Sequence, residues 1–387
     1  MCYCYCELFK SIISPMNPQR LINKFTRRIF LAYSDLYGFL AQKLFNVHHL
    51  YPSKITFKIT NICNVDCHFC YNVGKNTQAE RKSEIDLESW KKLVSNSPFY
   101  TAISFTGGEA FLYPHLFDLL KFIGQKKRKA SIVSNGTTLN EEQLNKLIDS
   151  KLHYLMFSLH GMERTHNRIL GGHINYFEKT TETIKKLEEL KKKRGSNYPI
   201  VGIKVVITNE NYQDIPELMD YSEKELKASH LYFNLLSNEP FELFENVNDA
   251  FKAQAPIHMY EKIKIPKIHA LIDHIFDYKK TSRMNIGFTN VFKNKQKLKD
   301  YVENPGQFDV TACNKPFHEL YIQPNGDVIF CLKYKVTNIK DINYDIRNIF
   351  ALPRYRELLE AFQEKGKKVD YCHTCLEATF EDKRAEA

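Results

Sequence analysis

Residues 54–70 read Lys54-Ile55-Thr56-Phe57-Lys58-Ile59-Thr60-Asn61-Ile62-Cys63-Asn64-Val65-Asp66-Cys67-His68-Phe69-Cys70, a β-branched run that gives way to three cysteines within eight residues. The run predicts a buried strand, which places the cysteines in the loop at its C-terminal end. Three soft thiolates so close together suit an iron–sulfur cluster or zinc. Zinc would need a fourth ligand such as His68, and its neighbours Cys67 and Cys70 make that geometry awkward. On a four-iron cluster, three thiolates leave one iron open to bind and activate something else.

Outward from this stretch, the chain alternates. Short apolar runs at 101–105, 129–134, 154–159, 201–208 and 231–236 predict further strands. Helical periodicity marks 87–97, 116–126, 141–150, 177–193 and 214–225 between them. Such alternation implies a parallel sheet with right-handed crossovers, and six units make a partial (β/α)6 TIM-like barrel. Functional residues are then expected in the loops after strand C-termini. Residues 263–280 resemble a helix, and 241–256 read as an irregular, substrate-facing insertion. After Asn304-Pro305-Gly306 the pattern changes, and the runs 320–323 and 328–331 flank the turn sequence Pro324-Asn325-Gly326-Asp327.

Taken with their context, the cysteines resemble those of the radical S-adenosylmethionine (AdoMet) superfamily. The resemblance runs over roughly residues 52–240. It comprises the cysteine loop, Thr106-Gly107-Gly108-Glu109 after the second strand, Ser134-Asn135-Gly136 after the third and Ser158-Leu159-His160-Gly161 after the fourth. It implies that Cys63, Cys67 and Cys70 hold a [4Fe–4S] cluster whose open iron chelates AdoMet. An electron then cleaves the sulfonium to a 5′-deoxyadenosyl radical, which abstracts a substrate hydrogen. The Phe69 segment would face the adenine. Gly107 and Gly108 would let the backbone approach the ligand, and Glu109 would accept from its ammonium group. Ser158 is a candidate for the ribose or methionine end, against a satisfied buried serine. Arg168 is a candidate for the carboxylate, although His166-Asn167-Arg168-Ile169-Leu170-Gly171-Gly172 departs from the family's usual form. Lys204, a charge on a buried-looking strand, needs an anionic partner, either a ligand or a structural carboxylate.

A second cysteine set follows: Cys313, Cys331, then Cys372-His373-Thr374-Cys375. With Gly326 five residues before Cys331, it resembles the shortened Twitch form of the SPASM domain. The resemblance implies one fully ligated auxiliary [4Fe–4S] cluster, as in the aminocyclitol dehydrogenase branch. A saturated cluster suits electron transfer, so a substrate radical could lose a proton and pass its electron there, completing an oxidation. A structural Cys4 zinc site is the plainer alternative. The expected architecture is therefore α/β. It has a helical extension at 1–50, a radical AdoMet partial barrel at 51–300 and a small α+β Twitch-like domain at 301–387.

Composition sets the outer limits. The 387 residues are 43% hydrophobic and 26% charged, enough apolar material for a sizeable core and against wholesale disorder. A net charge of +10 is spread over the chain, and without a recognisable module or aromatic stacking it gives no case for nucleic acid. The runs Lys126-Lys127-Arg128-Lys129 and Lys191-Lys192-Lys193-Arg194 read as solvated helix C-termini. Residues 20–45 predict an amphipathic helix that packs on the main domain, with contact to an anionic membrane surface as the alternative. Residues 1–9 lack the basic start of an export signal, and no apolar run is long enough to span a bilayer. The reducing cytoplasm is the expected compartment. Cys2, Cys4 and Cys6 read as a frayed terminus, with metal scavenging or lipidation the other uses. Asp66, His318, Glu319 and Tyr321 lie near the cluster motifs as candidate bases or hydrogen donors.

The functional expectation is an iron–sulfur oxidoreductase fed by an electron donor such as flavodoxin or ferredoxin. The four-cysteine auxiliary set favours a sugar or aminocyclitol substrate. A ribosomally made peptide is the alternative, weighed down because residues before the barrel read as helical and not as a leader-binding module. A non-catalytic zinc or iron–sulfur protein is the reading of another class.

Overall fold

The chain divides into two compact units, Met1–Leu50 and Tyr51–Ala387. The computed structural model describes residues 52–70, 81–235, 265–288, 294–303, 308–312, 319–330, 334–357 and 379–382. The expected helix at 20–45, Cys2, Cys4, Cys6, His318 and the insertion at 241–256 lie outside these residues.

Strand β1 (Lys54–Lys58) is followed by helix α1 (Leu87–Asn96), β2 (Ala102–Thr106), α2 (Leu116–Gln125), β3 (Ala130–Ser134), α3 (Glu141–Asp149) and β4 (Tyr154–Ser158). Two helices, α4 (Glu163–Ile169) and α5 (Tyr176–Lys193), precede β5 (Ile200–Ile207), α6 (Ile215–Lys224) and β6 (His230–Leu235). These strands pair in parallel and in chain order. The sheet then gains a strand beyond the expected six: after α7 (Ile268–Thr281), β7 (Asn285–Phe288) pairs in parallel with β6.

On the other edge, β9 (Glu319–Ile322) pairs in parallel with β1. It turns back through Pro324-Asn325-Gly326 into β10 (Asp327–Phe330), which pairs with β11 (Tyr334–Asn338). The ten-stranded order is thus β11-β10-β9-β1-β2-β3-β4-β5-β6-β7. Helix α8 (Lys295–Glu303) packs on α7, and β8 (Phe308–Ala312) pairs with β12 (Thr379–Asp382) in a separate antiparallel ribbon. At the hairpin, Gly326 has φ +86°, and a β-carbon there would come within 2.9 Å of Ile339 Cγ1. The Asn-Gly pair is therefore needed where the sequence put it.

Helix starts follow from caps. Asp86 accepts from Ser89 N (2.7 Å) at the head of α1, and Asn140 forms a reciprocal capping box with Gln143 at α3. The helices bury one stripe each against the sheet. Phe57 on β1 meets Trp90 of α1 at 4.7 Å and Phe105 of β2 edge-on at 5.6 Å, all three rings fully buried. Burial of a phenylalanine side chain contributes about 1.5–3 kcal/mol. Two of the basic residues do more than end a helix. Arg128 donates to the carbonyls of Ser97 (2.9 Å) and Thr101 (3.1 Å), closing the C-terminus of α1 and not its own helix. Lys191 is buried against Glu188 at 2.6 Å. No helix among the described residues is long and apolar enough to cross a membrane.

Candidate functional site

Beyond the ends of β1 and β2, the two segments run on side by side. Ile59 N donates to Thr106 O (2.9 Å), Gly108 N to Thr60 O (2.8 Å) and Glu109 N to Ile62 O (2.8 Å). A β-carbon on Gly107 would stand 2.4 Å from Thr60 O, and one on Gly108 would stand 2.2 Å from Ile62 O. Only glycine allows that approach. The space these glycines open is filled here by the segment that leads into Cys63.

From Cys63 to Phe69 the loop alternates: Asn64, Asp66 and His68 are exposed while Val65, Cys67 and Phe69 are half-buried. Those three pack on Ile169, Leu170 and Tyr176. Asp66 N donates to Leu170 O (3.3 Å) and His68 N to Ile169 O (3.1 Å), so the loop hangs on the C-terminal carbonyls of α4. A turn closes it, with Cys70 N donating to Cys67 O (2.9 Å). Burial pushes the Cys63 thiol up to about 11, helped by the charges of Glu109 and Cys70. Burial, then Cys70 and Cys63, push Cys67 up to about 12. The thiols of one loop therefore lie within range of one another's charge.

Glu109 is 1% exposed. Its Oε1 accepts from Phe111 N (3.1 Å) and Ser134 Oγ (2.9 Å), and its Oε2 accepts from Asn135 N (2.7 Å). Burial pushes its carboxyl up despite these donors. The carboxylate thus ties the β2 turn to the end of β3.

Family models match this chain twice: the Radical SAM superfamily over residues 57–222 and SPASM, an iron–sulfur cluster-binding domain, over residues 313–376. Residues 57–222 are therefore similar to a radical SAM domain, and residues 313–376 to a SPASM domain. The tungsten-containing aldehyde ferredoxin oxidoreductase cofactor-modifying protein of Pyrococcus furiosus is 28% identical over 57% of this chain and 64% of its own. The sporulation killing factor maturation protein SkfB of Bacillus subtilis is 28% identical over 44% of this chain and 39% of its own. The matches thus span less than two thirds of these relatives' length. The crystal structure of Streptococcus suis SuiB superposes with a TM-score of 0.59, covering 85% of this chain and 74% of that one, at 16% identity. That likeness is one of fold, the partial barrel with added C-terminal strands.

A radical SAM domain takes a [4Fe–4S] cluster and AdoMet, and a SPASM domain takes auxiliary iron–sulfur clusters. The donor set of the first loop fits the former: three thiols on one short loop, half-buried and electrostatically coupled. Among the described residues, no three metal-ligating side chains already close around one point. Uptake of a cluster would draw the thiols together and release their protons. The SPASM match begins at Cys313 and ends one residue beyond Cys375. Cys313, Cys331, Cys372 and Cys375 themselves lie outside the described residues.

The remaining candidates of the radical SAM domain sit at the same end of the sheet. Ser158 closes β4, partly exposed and in register with Lys204 on β5. Phe69 meets His160 edge-on at 5.0 Å. Arg168 is exposed, its Nε 3.3 Å from Glu210 Oε2, and the other Glu210 oxygen lies 3.5 Å from His68 Nδ1. Arg168 and Glu210, with Asn209, Tyr212, Gln213 and Pro266, line an open cavity of about 620 Å³.

Behind this edge, His160 N donates to His166 Nδ1 (3.0 Å) and Val206 N to His160 Nδ1 (3.2 Å). Asn211 Nδ2 donates to the carbonyls of His160 (2.6 Å) and Val206 (2.7 Å). Both imidazoles are buried, which pushes His160 down to about 4, with Lys204 adding, and His166 well below its usual value.

Glu319 lies at the β1–β9 seam. Its Oε1 is 2.7 Å from Lys54 Nζ and accepts from Thr56 Oγ1 at 2.5 Å. It is buried there, a structural anchor of the strand pair. Sequence reasoning missed Glu210, Asn211 and the histidine pair. Glu210 carried no readable signal, because its Thr-Asn-Glu-Asn context looks like any polar turn.

Proposed function

We propose that this chain is a radical SAM enzyme that modifies a ribosomally synthesised peptide. The observation that carries the chemistry is the Cys63–Cys67–Cys70 loop, held at the C-terminal mouth of the parallel sheet by Gly107 and Gly108. Cys63, Cys67 and Cys70 would hold a [4Fe–4S] cluster there, which with AdoMet would supply the radical chemistry for hydrogen abstraction. The chain's own part is to fix three thiolates on one loop, to pack Phe69 of that loop against His160, and to end β4 at Ser158 in register with Lys204. The four cysteines of the SPASM segment would hold an auxiliary iron–sulfur cluster, which could accept the electron from a substrate radical that has lost a proton, making the net change an oxidation. A small flavoprotein or ferredoxin is the corresponding electron source.

The similarity to SkfB supports a peptide as the substrate, since that protein matures a sporulation killing factor. This reverses the weighting from the cysteine spacing alone, which favours a sugar or aminocyclitol. The test is anaerobic reconstitution of the full chain with iron and sulfide, reduction, and quantification of 5′-deoxyadenosine. Wild-type protein is expected to release it, and Cys63→Ala, Cys67→Ala and Cys70→Ala to release none. Short precursor peptides encoded beside the gene are expected to change mass when added. An iron-replete protein that releases no 5′-deoxyadenosine with any substrate would sink the chemistry. Turnover of aminocyclitols but of no such peptide would sink the substrate class.

A further inference from the structure

Asn135 lies immediately after β3, 7% exposed, and its four polar groups each reach a separate neighbour. Its N–H donates to Glu109 Oε2 (2.7 Å), and its carbonyl accepts from Thr180 Oγ1 of α5 (2.7 Å). Its Oδ1 accepts from Thr137 N (3.0 Å) and Thr137 Oγ1 (2.7 Å). Its Nδ2 donates to Asn64 Oδ1 (2.9 Å), and Asn64 Nδ2 in turn donates to Thr137 Oγ1 (2.8 Å). Asn64, Asn135 and Thr137 therefore close a ring of hydrogen bonds. Asn64 adjoins Cys63 and sits midway between two backbone anchors of the loop, the Ile62 carbonyl and the Asp66 N–H.

We infer that Asn135 is a positioning residue for the cluster loop. Through Asn64 it fixes Cys63 relative to both the Glu109 turn and the sheet. The inference rests on reading Cys63, Cys67 and Cys70 as cluster ligands. The ring needs a side chain at 135 that both donates and accepts, which alanine cannot do. Partners that orient metal ligands are typically worth about 10–100-fold in metal affinity.

The test uses the full chain reconstituted with iron and sulfide. The readouts are the rate of iron loss to a ferrous chelator and the electron paramagnetic resonance signal of the reduced cluster with and without AdoMet. Asn64→Ala and Asn135→Ala are each expected to speed iron loss about tenfold and to alter the signal. The double variant is expected to match Asn135→Ala, because each single change already breaks the same ring. Thr180→Val removes the α5 contact to the same residue but leaves the ring intact, and is expected to lose iron at the wild-type rate. The Asn64 side chain is on an exposed loop, so its variant keeps the test open if Asn135→Ala fails to fold. Wild-type rates in Asn64→Ala, multiplying effects in the double variant, or a Thr180→Val protein as leaky as the others would overturn the inference. A wild-type chain that holds no iron would instead overturn the cluster reading beneath it.

Discussion

The loops after β1, β2 and β3 are joined at their base by backbone bonds and a buried carboxylate, whereas those after β4 and β5 end in a charge pair that faces water. In the first group the contacts are backbone to backbone, at Thr60 and Ile62, and a carboxylate enclosed by three donors. In the second, buried imidazoles and Asn211 hold the inner layer, while Arg168 and Glu210, 52% and 38% exposed, line an open cavity. Fixed ligands for an inorganic group need the first kind of construction, since its geometry does not vary. A wall that must admit and release other molecules can use the second, where ions exchange partners at little cost.

The sharpest way to break the contrast is at Gly108. A valine there has no room against the Ile62 carbonyl, at 2.2 Å from the new β-carbon, and backbone must move. Gly108→Val is expected to cost about 3 kcal/mol or more, the upper range for overpacking, and to abolish iron retention. Urea denaturation and iron analysis check both. Next is Glu109→Ala, which strands two backbone N–H groups and the Ser134 hydroxyl in the interior. Buried donors left unpaired cost about 1–3 kcal/mol each, partly offset by removing a buried charge, so a net loss of about 2–3 kcal/mol is expected. Glu109→Gln should rescue little, because its amide sets a donor against either Asn135 N–H or the Phe111 and Ser134 donors.

How much of this was legible beforehand varies with the range of the contact. Helix α2 was expected at 116–126 and is Leu116–Gln125, because its apolar period is local and strong. The cysteine loop was legible for the same reason, its three donors lying in one short stretch. Strand β7 was not: Asn-Ile-Gly-Phe is four residues long, and only Ile286 is buried. Nor was the β1–β9 pairing, sealed by Thr56 and Glu319, which lie 263 residues apart. The Gly-Gly-Glu context marks Glu109 as a cofactor candidate and says nothing of its other contacts. Nothing in its neighbourhood announces that its partners would be Ser134 and Asn135, 25 and 26 residues on.

The inner layer of the second group is exposed to acid. His160 and His166 are held neutral by burial, so the folded chain resists protons that the unfolded chain takes up. Stability is therefore full above the ordinary histidine value of 6.5 and falls as pH drops from there toward about 4, where folded His160 also protonates. At pH 5 the His160 contribution alone is expected to be about 2 kcal/mol below its neutral value, with His166 adding in the same direction. Urea midpoints at pH 7.5 and pH 5 measure it. His160→Asn, which keeps an acceptor for Val206 N, is expected to remove the His160 share of the acid limb and leave that of His166.

The smallest stability effect belongs to the outer pair, and it discriminates best between two roles for Arg168. As an exposed ion pair it is worth under about 1 kcal/mol, so Arg168→Ala and Glu210→Gln should both leave the urea midpoint nearly unchanged. Binding separates them. If Arg168 takes the AdoMet carboxylate, it must give up Glu210 to do so, and Glu210 competes with the ligand. Arg168→Ala then weakens AdoMet binding about tenfold or more, while Glu210→Gln strengthens it by releasing the guanidinium, a divergence in sign that loss of a shared structural contact cannot produce. Equilibrium binding of AdoMet to the reconstituted, unreduced protein reads both. Equal affinities in the two variants and the wild type would confine Arg168 to its contact with Glu210, and leave the cavity wall without a part in AdoMet binding.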